Sequence, residues 1–194
     1  MQKILLIGLL SLSISNKIYA QVKYSDSSLI EWNGANKIQW DDFQSKIDST
    51  SQFTAECTTL FKCIFYLKND SVFCTVKAFF NPEKSWKKLT YLDNCYDLNH
   101  EQLHFDITEI FARKIRQLIL TNNSNEEAIQ KIYNETAKAC NDFQIMYDKE
   151  TNHSINRINQ NNWSNKINFL LLSLDQYKEQ SIYIKNPFCK ICWK

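Results

Sequence analysis

Hydrophobic positions along the chain follow two different periods, and the change between them predicts strands first and helices later. Residues 53–67 and 71–80 are rich in β-branched and aromatic side chains, and the break at Lys68-Asn69-Asp70 predicts a hairpin. After Asp97 apolar residues recur at helical spacing, which predicts one long helix over 97–121. Ser124 and Glu127 have the form of a capping box that starts a second helix, and a third helical stretch lies near 152–178.

These elements predict an α+β fold in which a small antiparallel sheet packs against helices. An extended lead-in before the first strand carries Ile38, Trp40 and Phe43 as core anchors, and Asn33-Gly34 marks a turn. The hydrophobic content of 44% is sufficient for one ordinary core. We therefore expect a single domain over residues 21–180, followed by a cysteine-containing tail over residues 181–194.

The first twenty residues have the three regions of an export signal. A positive start precedes an apolar run from Ile4 to Leu12, and Ala20 offers a small residue for cleavage. The run is too short to span a bilayer, so we expect no stable membrane anchor and an exported protein, periplasmic or secreted. Cleavage would remove two of the 23 basic residues and no acidic one, leaving 21 of each sign. A neutral mature chain argues against nucleic acid as a partner.

Seven cysteines would enter an oxidising compartment after export. Their number is odd, so at most three bridges can form within one chain, and the pairing does not follow from the sequence. Cys189-x-x-Cys192 permits a redox function, but it has no second pair and no following helix. A structural bridge or free thiols are therefore favoured there over redox chemistry.

One motif on the first predicted helix indicates metal chemistry. His100-Glu101-Gln102-Leu103-His104 is H-E-x-x-H, which places two imidazoles one turn apart on the same helix face. Two such side chains can bind one Zn²⁺ and leave positions for a third protein ligand and a water. Glu101 then has the position of a general base. The competing interpretation is a pair of surface histidines without metal.

The third ligand must come from elsewhere in the chain, because the helix offers no further ligand on that face. His153 is the only other histidine, and we favour it. Glutamates of the second helix, Asp148 and Glu150 are alternatives, and Cys95 is a conceivable fourth ligand of a closed structural site. The glutamates of the second helix are Glu127 and Glu135. Asp106 and Glu109 are candidates for contacts with the metal ligands or for charges on the helix surface. The Tyr147 hydroxyl could stabilise an oxyanion, although a role as a core tyrosine is favoured.

The segment from His100 to Glu109, followed by Ala112-Arg113-Lys114, resembles a bacterial family of unknown function described as predicted secreted zinc-dependent proteases. Weaker points of similarity extend over roughly residues 30–175. The resemblance implies a zincin-like site, zinc and a peptidase activity. Members of that family usually carry glycine at the positions of Leu103 and Ser154, so the surroundings of the metal differ here.

Together these features predict an exported zinc metallopeptidase in which His100, His104 and His153 hold Zn²⁺ and Glu101 acts as general base. The partner would be a peptide or protein substrate, lying by β-addition along strand 71–80 or along the segment at Ser85-Trp86. The alternative is a non-enzymatic secreted or envelope protein in which the same histidines hold a structural metal.

Overall fold

The computed structural model describes residues 28–35, 37–68, 71–88, 95–122 and 126–185. Three helices pack against a small antiparallel sheet, as the sequence predicts. The strands are β1 (Ile30–Glu31), β2 (Ala55–Glu56), β3 (Thr59–Lys68), β4 (Ser71–Phe80), β5 (Trp86–Lys87) and β6 (Ser181–Lys185). The helices are α1 (Cys95–Thr121), α2 (Glu126–Thr151) and α3 (Arg157–Ser173).

Strand β4 is the centre of the main sheet. It pairs with β3 over its whole length, which confirms the predicted hairpin, although the turn residues 69 and 70 lie outside the described ranges. Its other edge pairs with β6 over residues 71–75 and with β1 at Phe79 and Phe80. The expectation that strand 71–80 offers an edge to a peptide is therefore wrong, because both edges of β4 are already hydrogen-bonded.

The segment near Ser85-Trp86 does form a short extended piece, β5, which pairs with β2 in a separate two-stranded sheet. Residues 181–185, which the sequence assigns to the tail, add strand β6 to the main sheet. Cys189 and Cys192 lie outside the described residues. Within the described ranges, no helix is long and apolar enough to cross a membrane.

Helix α1 forms the middle layer of the fold. It packs against β3 and β4 on one side and against α2 and α3 on the other, so every residue from His100 to Arg113 is buried. The H-E-x-x-H histidines are therefore not surface side chains. The predicted core anchors Ile38, Trp40 and Phe43 are buried as well.

The second helix begins close to its predicted start, whereas the third begins later. Helix α2 begins at Glu126, while Ser124 of the predicted capping box lies outside the described residues. Helix α3 begins later than expected, at Arg157, because residues 152–154 form a turn with positive φ that no helix can contain. Asn156 caps α3 and its side chain accepts a hydrogen bond from the backbone N–H of Asn159.

A cluster of buried charged side chains connects α1 to the sheet on one side and to α3 on the other. Glu109 Oε1 accepts from Arg113 Nε at 2.9 Å and from Arg116 Nη2 at 2.5 Å. Arg116 also donates to the carbonyl of Val76 in β4, and Arg113 donates to the carbonyl of Leu171 in α3. Glu109 is therefore the centre of this cluster, which connects three elements. It is not a surface charge, and it does not contact the ligand atoms of the histidines.

Glu109→Gln should lower the free energy of unfolding by about 3–5 kcal/mol, because it removes the carboxylate paired with the buried Arg116 and leaves Arg113 only the more distant Asp175, at 3.7 Å. The matched control is Glu135→Gln on α2, where the carboxylate is exposed and lies 3.9 Å from Lys131. That control should change stability by less than about 0.5 kcal/mol. Urea unfolding of both variants checks the difference, and equal stabilities would refute the structural role of Glu109.

Candidate metal site

His100 and His104 of α1 meet Asp148 of α2 in the interior of the protein. The two Nε2 atoms lie 3.3 Å apart. Asp148 Oδ1 lies 3.2 Å from Nε2 of His100 and 2.8 Å from Nε2 of His104. All three side chains are buried, and one ligand atom from each lies within 4.8 Å of the other two. The arrangement brings two imidazoles and one carboxylate to a single point, as a metal site does.

The hydrogen bonds around His104 determine which of its nitrogens carries the proton. Gln144 Nε2 donates to the backbone carbonyl of His104 at 2.9 Å, and that carbonyl can only accept. The amide oxygen of Gln144 must then face Nδ1 of His104, with which it forms a short hydrogen bond. Because an amide oxygen is also only an acceptor, Nδ1 carries the proton and Nε2 of neutral His104 presents a lone pair.

The same argument holds for His100 through a longer chain of donors. The hydroxyl of Tyr147 donates to the backbone carbonyl of His100 at 3.3 Å, so it accepts from Gln160 Nε2 at 2.7 Å. The amide oxygen of Gln160 therefore faces Nδ1 of His100 at 2.9 Å and accepts its proton. Both neutral histidines then direct an Nε2 lone pair at the carboxylate of Asp148.

Three electron-rich atoms at these distances require a cation between them. In the metal-free protein that cation is a proton: burial alone would lower the pKa of His104, but the charge of Asp148 and the hydrogen bond to it raise the pKa to about 9. Burial would raise the pKa of Asp148, but the neighbouring His104 and His100 hold it well below its ordinary value. With a metal ion, the proton would leave and the same three atoms would act as ligands.

The spacing of the three atoms fits a small tetrahedral ion. Zinc bonds of about 2.0–2.1 Å to nitrogen and oxygen place neighbouring tetrahedral ligands roughly 3.4 Å apart. The observed separations of 2.8–3.3 Å are shorter by a few tenths of an ångström, so slight expansion would admit the ion. Metal-bound histidines usually donate their other ring N–H to an oxygen acceptor, as both do here to glutamine amides.

Metal binding should depend steeply on pH, since zinc must displace the proton that His104 holds with a pKa of about 9. The apparent zinc affinity should rise about tenfold per pH unit between about pH 6 and pH 8. The same raised pKa stabilises the metal-free fold fully below 6.5, and this stabilisation is lost as the pH rises through about 9. Competition titrations with a chelator at several pH values measure the slope, and an affinity independent of pH would contradict this assignment of protons.

Glu101 lies beside the cluster without belonging to it. Its side chain is buried, and it forms no hydrogen bond or ion pair with another described residue. Burial raises the pKa of its carboxyl group, although the positive charges of His100 and His104 act in the opposite direction. Glu101 is therefore a buried carboxyl group beside the two candidate ligands, without a partner among the described residues.

His153 lies at the margin of the site. Its Nδ1 is 3.8 Å from Asp148 Oδ1, its ring contacts that of Phe53 at 4.0 Å between centroids, and it is partly exposed. It does not belong to the group of ligand atoms within 4.8 Å. It sits in a turn where Asn152, His153 and Ser154 all have positive φ. Its role as third ligand stays a prediction.

The other sequence candidates have different surroundings. Glu127 and Glu135 are exposed, Glu150 accepts a hydrogen bond from Trp163, and Cys95 is exposed at the start of α1. Tyr147 is a core side chain that stacks on His100 at 4.6 Å, with a pKa raised by burial.

Asp106 faces the amino-terminal segment instead of the cluster. Its carboxylate accepts hydrogen bonds from Trp32 Nε1 at 2.8 Å and from Gln102 Nε2 at 2.9 Å. The amide oxygen of Gln102 in turn accepts from the backbone N–H of Ile38. Asp106 therefore fastens the lead-in segment to α1 and is not a partner of the candidate ligands.

Sequence reasoning gave little weight to Asp148 and none to Gln144 and Gln160 as partners of the histidines. A signal for the two residues on α2 exists, because Gln144, Asp148 and Thr151 recur at helical spacing beside the apolar Cys140 and Tyr147. All five side chains are buried. Polar residues on a buried helix face need partners, and here the partners are the histidines of α1.

Comparison of the chain with protein-family models, with curated proteins and with solved structures finds no match.

Proposed function

We propose that the protein is an exported zinc-dependent metallopeptidase whose metal is held by His100, His104 and Asp148. The observation that carries the proposal is the polarity of the hydrogen bonds, which puts the Nδ1 proton of each histidine on a glutamine oxygen and directs both Nε2 atoms at one carboxylate oxygen. His153 is the competing third ligand, because its imidazole lies next to Asp148. Zinc is the metal of choice for two imidazoles and a carboxylate with one open position.

A bound zinc ion would supply Lewis acidity to a water molecule and to the carbonyl of the peptide bond. Glu101 would accept the proton of the attacking water and deliver it to the nitrogen of the leaving amine. Two properties support this role: the carboxylate has no described partner, and burial raises its pKa toward that of a useful proton carrier. Gln144 and Gln160 would hold the two imidazoles in the ligand tautomer throughout.

The edge of β2 that faces away from β5 is the proposed place for an extended substrate. Alternate residues of a strand direct their backbone groups to opposite edges. Because the carbonyl of Thr54 accepts from Lys88 N–H, Glu56 also faces β5. Ala55 and Cys57 direct their backbone groups to the other edge. On that side they have no backbone partner among the described residues. Burial and the charges of Glu101 and Asp148 raise the pKa of the Cys57 thiol, which supports the choice of this edge.

The resemblance to predicted secreted zinc-dependent proteases agrees with one detail of the backbone. Ser154 stands where members of that family usually carry glycine, and it has a φ of 71°. Glycine adopts such angles without strain, whereas other residues rarely do. Here the hydroxyl of Ser154 donates to Asp97 at 2.6 Å, a contact that helps to hold the turn in this conformation.

The second candidate function is a structural metal site in a non-enzymatic exported protein. The observation in its favour is burial, because His100 is only 4% and His104 only 3% exposed. Catalytic zinc sites keep a position open to water and substrate, whereas structural ones are closed.

Digestion of a denatured protein mixture distinguishes the two candidates. A peptidase should produce new amino termini, lose this activity on chelation and recover it when zinc is added back. A structural site should retain stoichiometric zinc, stabilise the fold and release no peptides at any protein concentration. The second result would overturn the proposed activity but not the metal site.

A further inference from the structure

Cys63 of β3 and Cys74 of β4 bring two thiols together on one face of the main sheet. Cys63 is paired with Val76 across the hairpin, and Cys74 is paired with Phe65. Side chains two positions apart on a strand point to the same face, so Cys74 shares its face with Val76 and therefore with Cys63. The two Sγ atoms are 3.6 Å apart, and both cysteines are free thiols.

This face of the sheet is the one covered by helices. Val76 and Ala78, on the same face of β4, are core residues, and Cys74 is 1% exposed. Cys63 is only partly buried and lies closer to solvent. Cys63 is therefore the more accessible of the two residues to a reagent in solution.

The geometry points to a dithiol that is oxidised to an intramolecular disulfide, with Cys63 as the thiol that attacks an oxidant from solution and Cys74 as the resolving thiol. A disulfide bond requires a sulfur separation of about 2.0 Å, so the two atoms must approach by about 1.5 Å. Rotation of the side chains with a small shift of the strands can supply that movement, since the sulfurs are already in contact. The inference is independent of the metal site.

The oxidant would be another disulfide, either of a small molecule or of an oxidoreductase. The thiolate of Cys63 attacks one sulfur of that disulfide, which forms a mixed disulfide and releases one thiolate. Cys74 then loses its proton and attacks the sulfur of Cys63, which breaks the mixed disulfide and releases the second thiol. Two protein thiols lose two protons and two electrons, and the oxidant is reduced to two thiols.

No other described cysteine has a sulfur neighbour of this kind. Cys57 and Cys140 are buried, and Cys95 is exposed at the start of α1. The contact between Cys63 and Cys74 is the one sulfur–sulfur contact within the described part of the chain. The hydrogen bond with Cys74 and burial raise the pKa of the Cys63 thiol, so the reaction should be faster in alkaline than in neutral buffer.

The test is oxidation of the full reduced chain with oxidised glutathione, followed by alkylation, trypsin digestion and mass spectrometry. Trypsin separates the two cysteines into the peptides 63–68 and 69–77, each of which contains one thiol. We expect these two peptides to be recovered as one cross-linked species lacking two hydrogens. Exposed Cys95 reports that the reagent is active, because it should carry a glutathione adduct.

Two variants test the order of the steps. Cys74→Ser should accumulate one glutathione on peptide 63–68, since no thiol resolves the mixed disulfide. Cys63→Ser should leave the thiol of peptide 69–77 unmodified. The proposal is overturned if both peptides keep free thiols while Cys95 is modified, or if Cys63 is recovered in a bridge to any cysteine other than Cys74.

Discussion

Replacing Glu101 with glutamine should lower the rate of peptide hydrolysis by about 10²–10⁴-fold and leave the zinc content unchanged. The variant keeps the size of the side chain but cannot accept the proton of the attacking water. Its zinc should stay because Glu101 is not part of the cluster of ligand atoms formed by the two histidines and Asp148. Initial rates on a quenched peptide substrate, with metal analysis of the same samples, measure both quantities.

The effect on stability gives this variant a second readout. Burial raises the pKa of Glu101, so its ionised form costs free energy at neutral pH, and Glu101→Gln should be as stable as the parent or more stable. Glu135→Gln, an exposed glutamate on α2, is the matched control and should change neither rate nor stability. A Glu101→Gln variant with full hydrolytic activity would contradict the assigned role.

Replacing Asp148 with asparagine should weaken zinc binding by at least about 100-fold. Loss of a side chain that only hydrogen-bonds to a metal ligand already costs about 10–100-fold in affinity, and Asp148 is itself a proposed ligand. The amide keeps the shape but removes the charge that the two imidazoles face. Asp142→Asn, an exposed position on the same helix, should bind zinc like the parent. Competition with a chromophoric chelator measures the affinities.

His153→Ala completes that comparison, because His153 is the competing third ligand. The distances predict that this variant keeps stoichiometric zinc, since His153 Nδ1 lies 3.8 Å from Asp148 Oδ1 and outside the cluster. Loss of zinc in His153→Ala with retention in Asp148→Asn would reverse the assignment. Loss of zinc in both variants would indicate that the site draws in His153 when the metal binds.

The two glutamates of α1 illustrate how far sequence reasoning reaches. The spacing of His100 and His104 on one helix face is a local property, and the structure has the two imidazoles side by side as predicted. The burial of Glu101 and Glu109 depends on which elements cover α1 from the sheet side and from the helix side. The packing of these elements is tertiary structure, which local spacing does not contain. The sequence therefore could not show that Glu109 lies in an ion cluster and Glu101 beside the histidines.

Asp148, the third partner of the histidines, received little weight from the sequence for a related physical reason. His153 is attractive by residue type, because a neutral imidazole is the commonest zinc ligand and only three histidines occur in the chain. The register between α1 and α2 decides instead that Asp148 faces the two Nε2 atoms. Such a register follows from the packing of complete helix faces, which no local spacing contains. The central position of β4 was missed in the same way, since β6 reaches it from the far end of the chain.

Anomalous scattering at the zinc edge, from crystals of the zinc-loaded protein, tests the central claim most directly because it locates the ion. We expect one peak within about 2.0–2.2 Å of His100 Nε2, His104 Nε2 and an oxygen of Asp148. The amide oxygens of Gln144 and Gln160 should remain on the two Nδ1 atoms. A peak bonded to Nδ1 of either histidine, or one located away from Asp148, would contradict the account.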